Sequence, residues 1–527
     1  MLRSIYAPRG MVTSPHHLAS QAGLAVLREG GNAVEAMVAM ASTIAVVYPH
    51  MNAIGGDGFW LVSDPEKGLF AIDACGRAGS AATQAFYRER GLAAIPARGP
   101  LAANTVAGAV SGWEAALAAV GGRLPLARLL ADAIYYAREG TPVTKSQVAH
   151  LTLFLDDLAG QPGFAATYLV DGRSRAFGTR QRFPALATTF ERLALAGLGD
   201  FYRGETGAAI AAELARLGSP VLAADLRSHR AEVVKPLSVK IRGAELFNLP
   251  PPTQGLASLL ILAIFDRIRG EAKVDSFEHV HGLVEATKQA FLVRNRHLCD
   301  PATMTVDPAS FLAPDSLDAR AAAIDPRRAR PWPGPAAKGD TVWMGTADAE
   351  GRMVSYIQSV YWEFGSGVVL EGTGVGWQNR GSSFLLDPAS HLALVPGRKP
   401  FHTLNPAAAR LDDGRMMVYG NMGGDGQPQS QAAVFSRFAM FGDDLQQAVT
   451  KPRWLLGRTW GNMSVTLKVE SRLDDGVVAA LREAGHDVEL TEPFSDFMGH
   501  AGALVRRETG VIAGAADPRS DGTVAGW

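Results

Sequence analysis

The chain has only two cysteines, Cys75 and Cys299, in 527 residues. They can close one bridge at most, which excludes a disulfide-stapled secreted scaffold. Neither sign of charge is in excess, with 51 Lys and Arg against 52 Asp and Glu. Such a balance offers no general attraction to nucleic acid or to an anionic membrane surface. There is no long apolar run either. The longest, residues 36–48, carries Ser42 and Thr43 and falls short of the ~20 residues of a membrane span. The opening MLRSIYAPRG has no apolar signal-peptide core, so the expectation is a cytoplasmic protein with no nucleic-acid or membrane partner. Familiar catalytic signatures are missing as well: no G-x-S-x-G elbow, no Gly-Lys of a P-loop and no G-x-G-x-x-G turn. Twelve histidines form no H-E-x-x-H and no Cys/His cluster in the sequence. No metal and no cofactor are therefore expected.

What is present reads as a large enzyme. Its length suits about three domains, or one large α/β body with insertions. The apolar spacing over 18–29, stopped by Gly30-Gly31-Asn32, predicts a helix with a glycine C-cap. Residues 33–47 are apolar nearly all round and predict an internal helix. Phe59–Val62 and Leu69–Ile72 flank a polar Asp-Pro-Glu-Lys-Gly turn, the pattern of a hairpin. Further helices are expected at 112–119, 126–138, 207–217, 258–269, 277–297 and 429–441, and strands near 233–241, 245–248 and 416–419. The stretch 325–340, DPRRARPWPGPAAKGD, is too rich in proline to be a helix or a central strand, so it reads as an exposed connector. A β-rich hairpin, 341–348 and 353–360, starts abruptly after it.

Two glycine clusters stand out, Gly55-Gly56-Asp57-Gly58 and Gly423-Gly424-Asp425-Gly426. The first reads more readily as a turn, and the second as a place where backbone N–H groups face a ligand. Thr341 leads the β-rich half. A threonine hydroxyl is a poor nucleophile until a base takes its proton, and its own α-amine can do so once the preceding peptide bond is cut.

At this point the residues carry a resemblance. Met11–His16, Ala19–Gly23, Gly30–Ala36, Pro49–Met51, Ile54–Phe59, Thr105–Gly108, Asn248–Gly255, Gly339–Thr341, Phe364–Val368 and Asn421–Gly424 together resemble the gamma-glutamyltransferase family. The resemblance implies a four-layer αββα sandwich of N-terminal-nucleophile hydrolase type, an α+β fold built from two autoprocessed fragments. It implies self-cleavage between Asp340 and Thr341, giving a helix-rich large subunit, 1–340, and a small subunit, 341–527. Thr341 would be the nucleophile, Ser359 its hydroxyl support, and Gly423 and Gly424 the oxyanion donors.

The departures bear on substrate. Cys75 stands where the family has a substrate-binding Arg, with Arg77 two residues on. His402-Thr403 replace a serine pair, Ser382-Ser383 replace acids that hold an α-ammonium, and Tyr361 replaces an Asn. A buried ammonium without a carboxylate partner loses several kcal/mol. The surviving groups, Arg77, Arg380, Arg398, His402 and the hydroxyls, Tyr361 and Thr403 among them, therefore predict a small anionic amide substrate. Within the family that points to the branch hydrolysing oxamate to oxalate and ammonia in purine degradation. The alternatives are a gamma-glutamyl transferase or hydrolase, a cephalosporin-type acylase, and a non-catalytic homologue. Whether the chain forms a homo-oligomer stays open.

Overall fold

The computed structural model describes residues 3–332, 340–457 and 465–527, and for Asp340 the backbone alone. Prolines 333 and 335 of the expected connector lie outside the described residues. Two seven-stranded antiparallel sheets form the centre. One runs Thr523–Gly526, Met11–Ser14, Asp340–Ala347, Met353–Tyr361, Asp57–Asp64, Gly68–Ala74, Glu232–Val234. The other runs Ile5–Ala7, Ile512–Ala516, Ala501–Arg506, Met416–Asn421, Ala407–Leu411, Ala244–Asn248, Leu237–Ile241. Both sheets mix strands from the two halves of the chain.

Period-two alternation assigns each strand residue to a layer. Trp343, Ala347, Met353 and Ile357 point into the apolar layer between the sheets. Val342, Met344, Val354 and Tyr356 point the other way, into a helix-lined core with Val34, Met37 and Ala41. On the far side, helices Gly255–Ile268, Phe277–His297 and Gly426–Phe435 cover the second sheet. The result is the αββα sandwich that the resemblance implies.

Local chemistry explains the best-defined helix. Ala33–Val47 is buried along its whole length, so no polar face is required of it. Its start is a capping box: Asn32 Oδ1 accepts from the N–H groups of Val34 and Glu35, and Glu35 Oε2 accepts from Asn32 N at 2.8 Å. Such a cap is worth about 1 kcal/mol.

Trp343, two residues past Thr341, pins its strand of the first sheet to the second. A Cβ added at Gly345, Gly420 or Gly502 would lie 2.8, 2.1 or 2.5 Å from its ring. Three strands thus give up side chains to seat one indole, whose Nε1 donates to Ser355 Oγ at 2.9 Å. The strand carrying Thr341 is held at a fixed height over its neighbours.

Three expected elements differ. The strand expected near 233–241 is two, Glu232–Val234 at the edge of the first sheet and Leu237–Ile241 at the edge of the second. The helix expected at 429–441 begins earlier, at Gly426, directly behind the second glycine cluster, and passes into a π-helical turn at Ser436–Met440. Buried polar residues on all its faces hide its period from an apolar pattern. The expected 126–138 helix is two, Leu126–Leu129 and Ala131–Glu139. The connector is exposed along Asp325–Arg328 but its backbone is gripped: Lys288 Nζ donates to Arg330 O, and Arg330 N donates to Glu285 Oε2.

Candidate active site

Thr341 is fully buried at the head of its strand. Its strand pairs Asp340 with Tyr361 and Val342 with Gln358, so Ser359 and Val360 together face Thr341. That is a β-bulge, a device that re-aims a side chain beside a functional site. Ser359 is buried opposite Thr341, and its Oγ accepts from Tyr361 N at 2.8 Å. Tyr361 has φ +83°, a strained value for a bulky residue that the surrounding packing must sustain.

From the second sheet, strand Met416–Asn421 runs into Met422-Gly423-Gly424. Gly423 and Gly424 have φ +114° and +51°, which glycine alone adopts freely. Neither N–H has an acceptor among the described residues. These two donors are left available for an oxygen. Behind them, Gln254 Nε2 donates both to Gly424 O, at 2.8 Å, and to Thr403 O, at 2.7 Å. Gln254 Oε1 accepts from Arg294, which also pairs with the buried Asp425 at 2.6 Å.

A second group of side chains is built around Asp57. Its Oδ1 accepts from Gly76 N, Gly108 N and Gln378 Nε2 at 2.9–3.0 Å, and its Oδ2 lies 2.9 Å from His402 Nε2. Burial pushes the Asp57 carboxyl up to about 7, against the opposing pull of those donors and of Arg380. Burial, helped by Arg380, holds His402 well below the usual histidine value. His402 is thus neutral at pH 7, and its Nδ1 has no partner among the described residues. Arg380 is completely buried, its Nη2 donating to Thr403 Oγ1 at 3.1 Å, while its Nε finds no partner among the described residues. Burial lowers its guanidinium to about 10, which leaves it charged at neutral pH.

The structure therefore brings together Thr341, Ser359, Tyr361, Arg380, His402, Thr403, Gly423 and Gly424. It does not bring Arg77 to them. The Arg77 side chain is 42% exposed and ends on Glu232 at 2.8 Å and on Gly397 O. The loop that carries it spends its backbone on the site instead, through Gly76 N and Asp57. Cys75 beneath is buried, and burial raises its thiol well above the ordinary range.

Several residues escaped the sequence reading. The Gly55–Gly58 cluster, read as a turn, is a close-approach segment. A Cβ at Gly56 would sit 2.1 Å from Ser359 O, and one at Gly58 would sit 2.3 Å from the Tyr356 hydroxyl. Asp57 at its centre is the hub of the second group, and an acid inside a glycine cluster was the available signal. Gln254 lay inside the Asn248–Gly255 motif without a role of its own, and Arg294, Asn405 and Gln427 gave no signal, because amides and arginines are common at surfaces. The fold also assembles what the sequence keeps apart. Potential ligand atoms of Asp57, Cys75 and His402 lie within 4.8 Å of one another, as do those of His281, Glu285 and His486. In the first group Arg380 is a competing cation, and in the second Lys288 already pairs with Glu285 at 2.6 Å.

A buried hydroxyl at a strand head, two glycine N–H donors and a buried cation suit acyl transfer from an anionic substrate. The gamma-glutamyltranspeptidase family model matches residues 19–527. The chain is 55% identical to the oxamate amidohydrolase proenzyme of Klebsiella pneumoniae, covering 100% of both, and 39% identical to a glutathione hydrolase-like proenzyme of Bacillus subtilis, again over 100% of both. The crystal structure of a cephalosporin acylase from Bacillus halodurans superposes with a TM-score of 0.91 at 34% identity, covering 100% of this chain and 97% of that one. The chain belongs to the gamma-glutamyltranspeptidase family, as a hydrolase acting on an amide. Among the described residues no helix is long and apolar enough to cross a membrane.

Proposed function

We propose that this chain is a precursor that cuts itself between Asp340 and Thr341, and that the mature enzyme hydrolyses oxamate to oxalate and ammonia. The observation that carries the substrate reading is Arg380. It is a wholly buried cation beside Tyr361 and Thr403. The family's ammonium-binding acids are serines here, Ser382 and Ser383. Ser383 Oγ bonds to its own segment, donating to Arg380 O at 2.9 Å. A buried cation, with serines where the family has its acids, favours a carboxylate without an amine. The 55% identity to the Klebsiella enzyme supports the same choice.

In this mechanism Thr341 Oγ attacks the amide carbon and its proton passes to the α-amine freed by cleavage. The carbonyl electron pair moves onto oxygen, held by Gly423 and Gly424 N–H. Collapse expels ammonia, which takes the proton back, and leaves an oxalyl ester on Oγ. Water then attacks that ester through the same geometry, giving oxalate. Arg380 holds the neighbouring carboxylate, with Thr403 and His402 lining it. Because Asp340–Ala347 is hydrogen-bonded between Met11–Ser14 and Met353–Tyr361, fragments 1–340 and 341–527 would stay joined after cleavage. The same reading assigns the reaction to purine degradation in the cytoplasm.

The test compares ammonia release from oxamate with turnover of a gamma-glutamyl anilide, alongside mass spectrometry of the fragments. Oxamate turnover by a protein cut at 340/341 is expected. Turnover of the anilide alone moves the substrate to the gamma-glutamyl class. A Thr341→Ala chain should stay whole; if it still splits at that bond, self-cleavage through Thr341 is refuted.

A further inference from the structure

Gln427 is the second residue of helix Gly426–Phe435, and its Nε2 lies 3.4 Å from Thr341 Oγ1. Which end of an amide faces a hydroxyl decides its chemistry, and here the surrounding bonds decide it. A backbone carbonyl can only accept. Asn405 reaches Thr403 O at 2.9 Å, so that contact must be its NH2. The same NH2 lies 3.0 Å from the Gln427 side-chain oxygen, which must therefore be the carbonyl. The remaining end of Gln427, its NH2, faces Thr341. The Asn405 side-chain oxygen in turn lies 3.5 Å from Asn248 Nδ2, and its backbone carbonyl accepts from Gln431 Nε2 at 2.6 Å. The N–H of Gln427 also donates to Gly424 O at 3.3 Å, which ties this residue to the oxyanion segment. The positive end of the helix lies on the same side.

From this geometry we infer that Gln427 is a catalytic residue for the reaction of Thr341, donating a hydrogen bond to Oγ, and that Asn405 is the positioning residue that keeps the amide so turned. The inference rests on Thr341 being the nucleophile, but not on oxamate being the substrate. A donor on Oγ has no proton to accept, so it does not replace the base. It acts whenever Oγ carries excess negative charge. In acylation the Oγ–H bond breaks toward the α-amine as the Oγ–C bond forms. In deacylation the Oγ–C bond breaks and its electron pair returns to Oγ, which then takes a proton from the amine. One donor lowers the barrier to both steps.

The experiment uses the full chain after maturation, with activity normalised to cleaved protein. Gln427→Met keeps the length and removes the donor. It should lower kcat roughly ten- to a hundredfold, as for one hydrogen bond to a charged atom, with KM and melting temperature nearly unchanged. Gln427→Glu supplies a readout that a packing role would not move. While protonated the carboxyl can still donate to Oγ, and once ionised it cannot. Its activity should therefore fall on an added limb as pH rises, where the unaltered enzyme shows none. Asn405→Asp takes away the donor to Gln427 and should lower kcat in the same direction, and less in a Gln427→Met background. If Gln427→Met keeps full kcat, or the Gln427→Glu profile superimposes on that of the unaltered enzyme, the inference is overturned. If Gln427→Met does not mature, the rate of self-cleavage of Gln427→Glu against pH is read instead, with the same two outcomes. Failure of the nucleophile reading is seen separately, as activity surviving in Thr341→Ala. A wrong substrate shows as the same Gln427 effects on another amide.

Discussion

Arg380 lies over the ring of Tyr361, its Cζ 3.6 Å from the ring centroid, with both side chains buried. Tyr361 in turn pairs across the sheet with Asp340, the residue before Thr341. A desolvated cation on an aromatic face is thus fixed one strand away from the Thr341 hydroxyl, and a contact of this kind is worth about 2 kcal/mol when desolvated. The pair joins the position that distinguishes this chain from the family pattern, Tyr361, to the charge that the proposed substrate would need.

Arg380→Met should raise KM for oxamate about ten- to a hundredfold, the worth of one charge-assisted contact. Arg77→Met should change it by less than about twofold, since Arg77 forms a half-exposed ion pair of a kind usually worth under about 1 kcal/mol. Steady-state kinetics on the two variants decide between the arginines. The reverse order would return the carboxylate to Arg77.

Gly423→Ala should lower kcat by about two to three orders of magnitude, as for loss of one oxyanion donor. The added Cβ would come no nearer than 3.5 Å, to Gly499 Cα, an ordinary contact, so the damage comes from φ +114° and not from a clash. At Gly424, φ +51° is a value that Asn adopts more readily than Val. Gly424→Asn should keep more activity than Gly424→Val. Equal activities would show that the backbone angle is not what matters.

Asp57 links stability to pH. Its folded-state value of about 7 stands above the ordinary 3.8, so between those values the folded chain holds the extra proton. Its contribution therefore favours folding at low pH, declines as pH rises from about 4 to 7, and is level above. Asp57→Asn removes that dependence. With both chains kept uncleaved by Thr341→Ala, the melting temperature of the Asn variant relative to its parent should climb from pH 4 to 7 and then flatten. A difference that ignores pH would contradict the raised value.

Arg294→Met should destabilise the protein by about 3–5 kcal/mol in urea unfolding, because it removes the buried cation that pairs with the Asp425 carboxylate at 2.6 Å. It also frees Gln254 Oε1, so the residual enzyme should lose kcat through a looser Gly424. A loss below about 1 kcal/mol would show that Asp425 is compensated from elsewhere.

The sequence by itself determined what is local or periodic. Helix 33–47 was legible because it is apolar nearly all round. The two hairpins were legible from alternation around polar turns, and Thr341, Gly423 and Gly424 from motifs that run in order along the chain. Tertiary structure decided what depends on direction. Arg77 and Arg380 look alike in a sequence, yet the first leaves a loop toward solvent and the second is enclosed between Tyr361 and Thr403. Asp57 and His402 are 345 positions apart and meet only because strands from both halves lie side by side in stacked sheets. The turn of the Gln427 amide is settled by a carbonyl at Thr403, through Asn405, and no spacing along the chain encodes such a bond. Side-chain periodicity gives a residue its layer; only packing of the layers fixes which buried polar groups find each other.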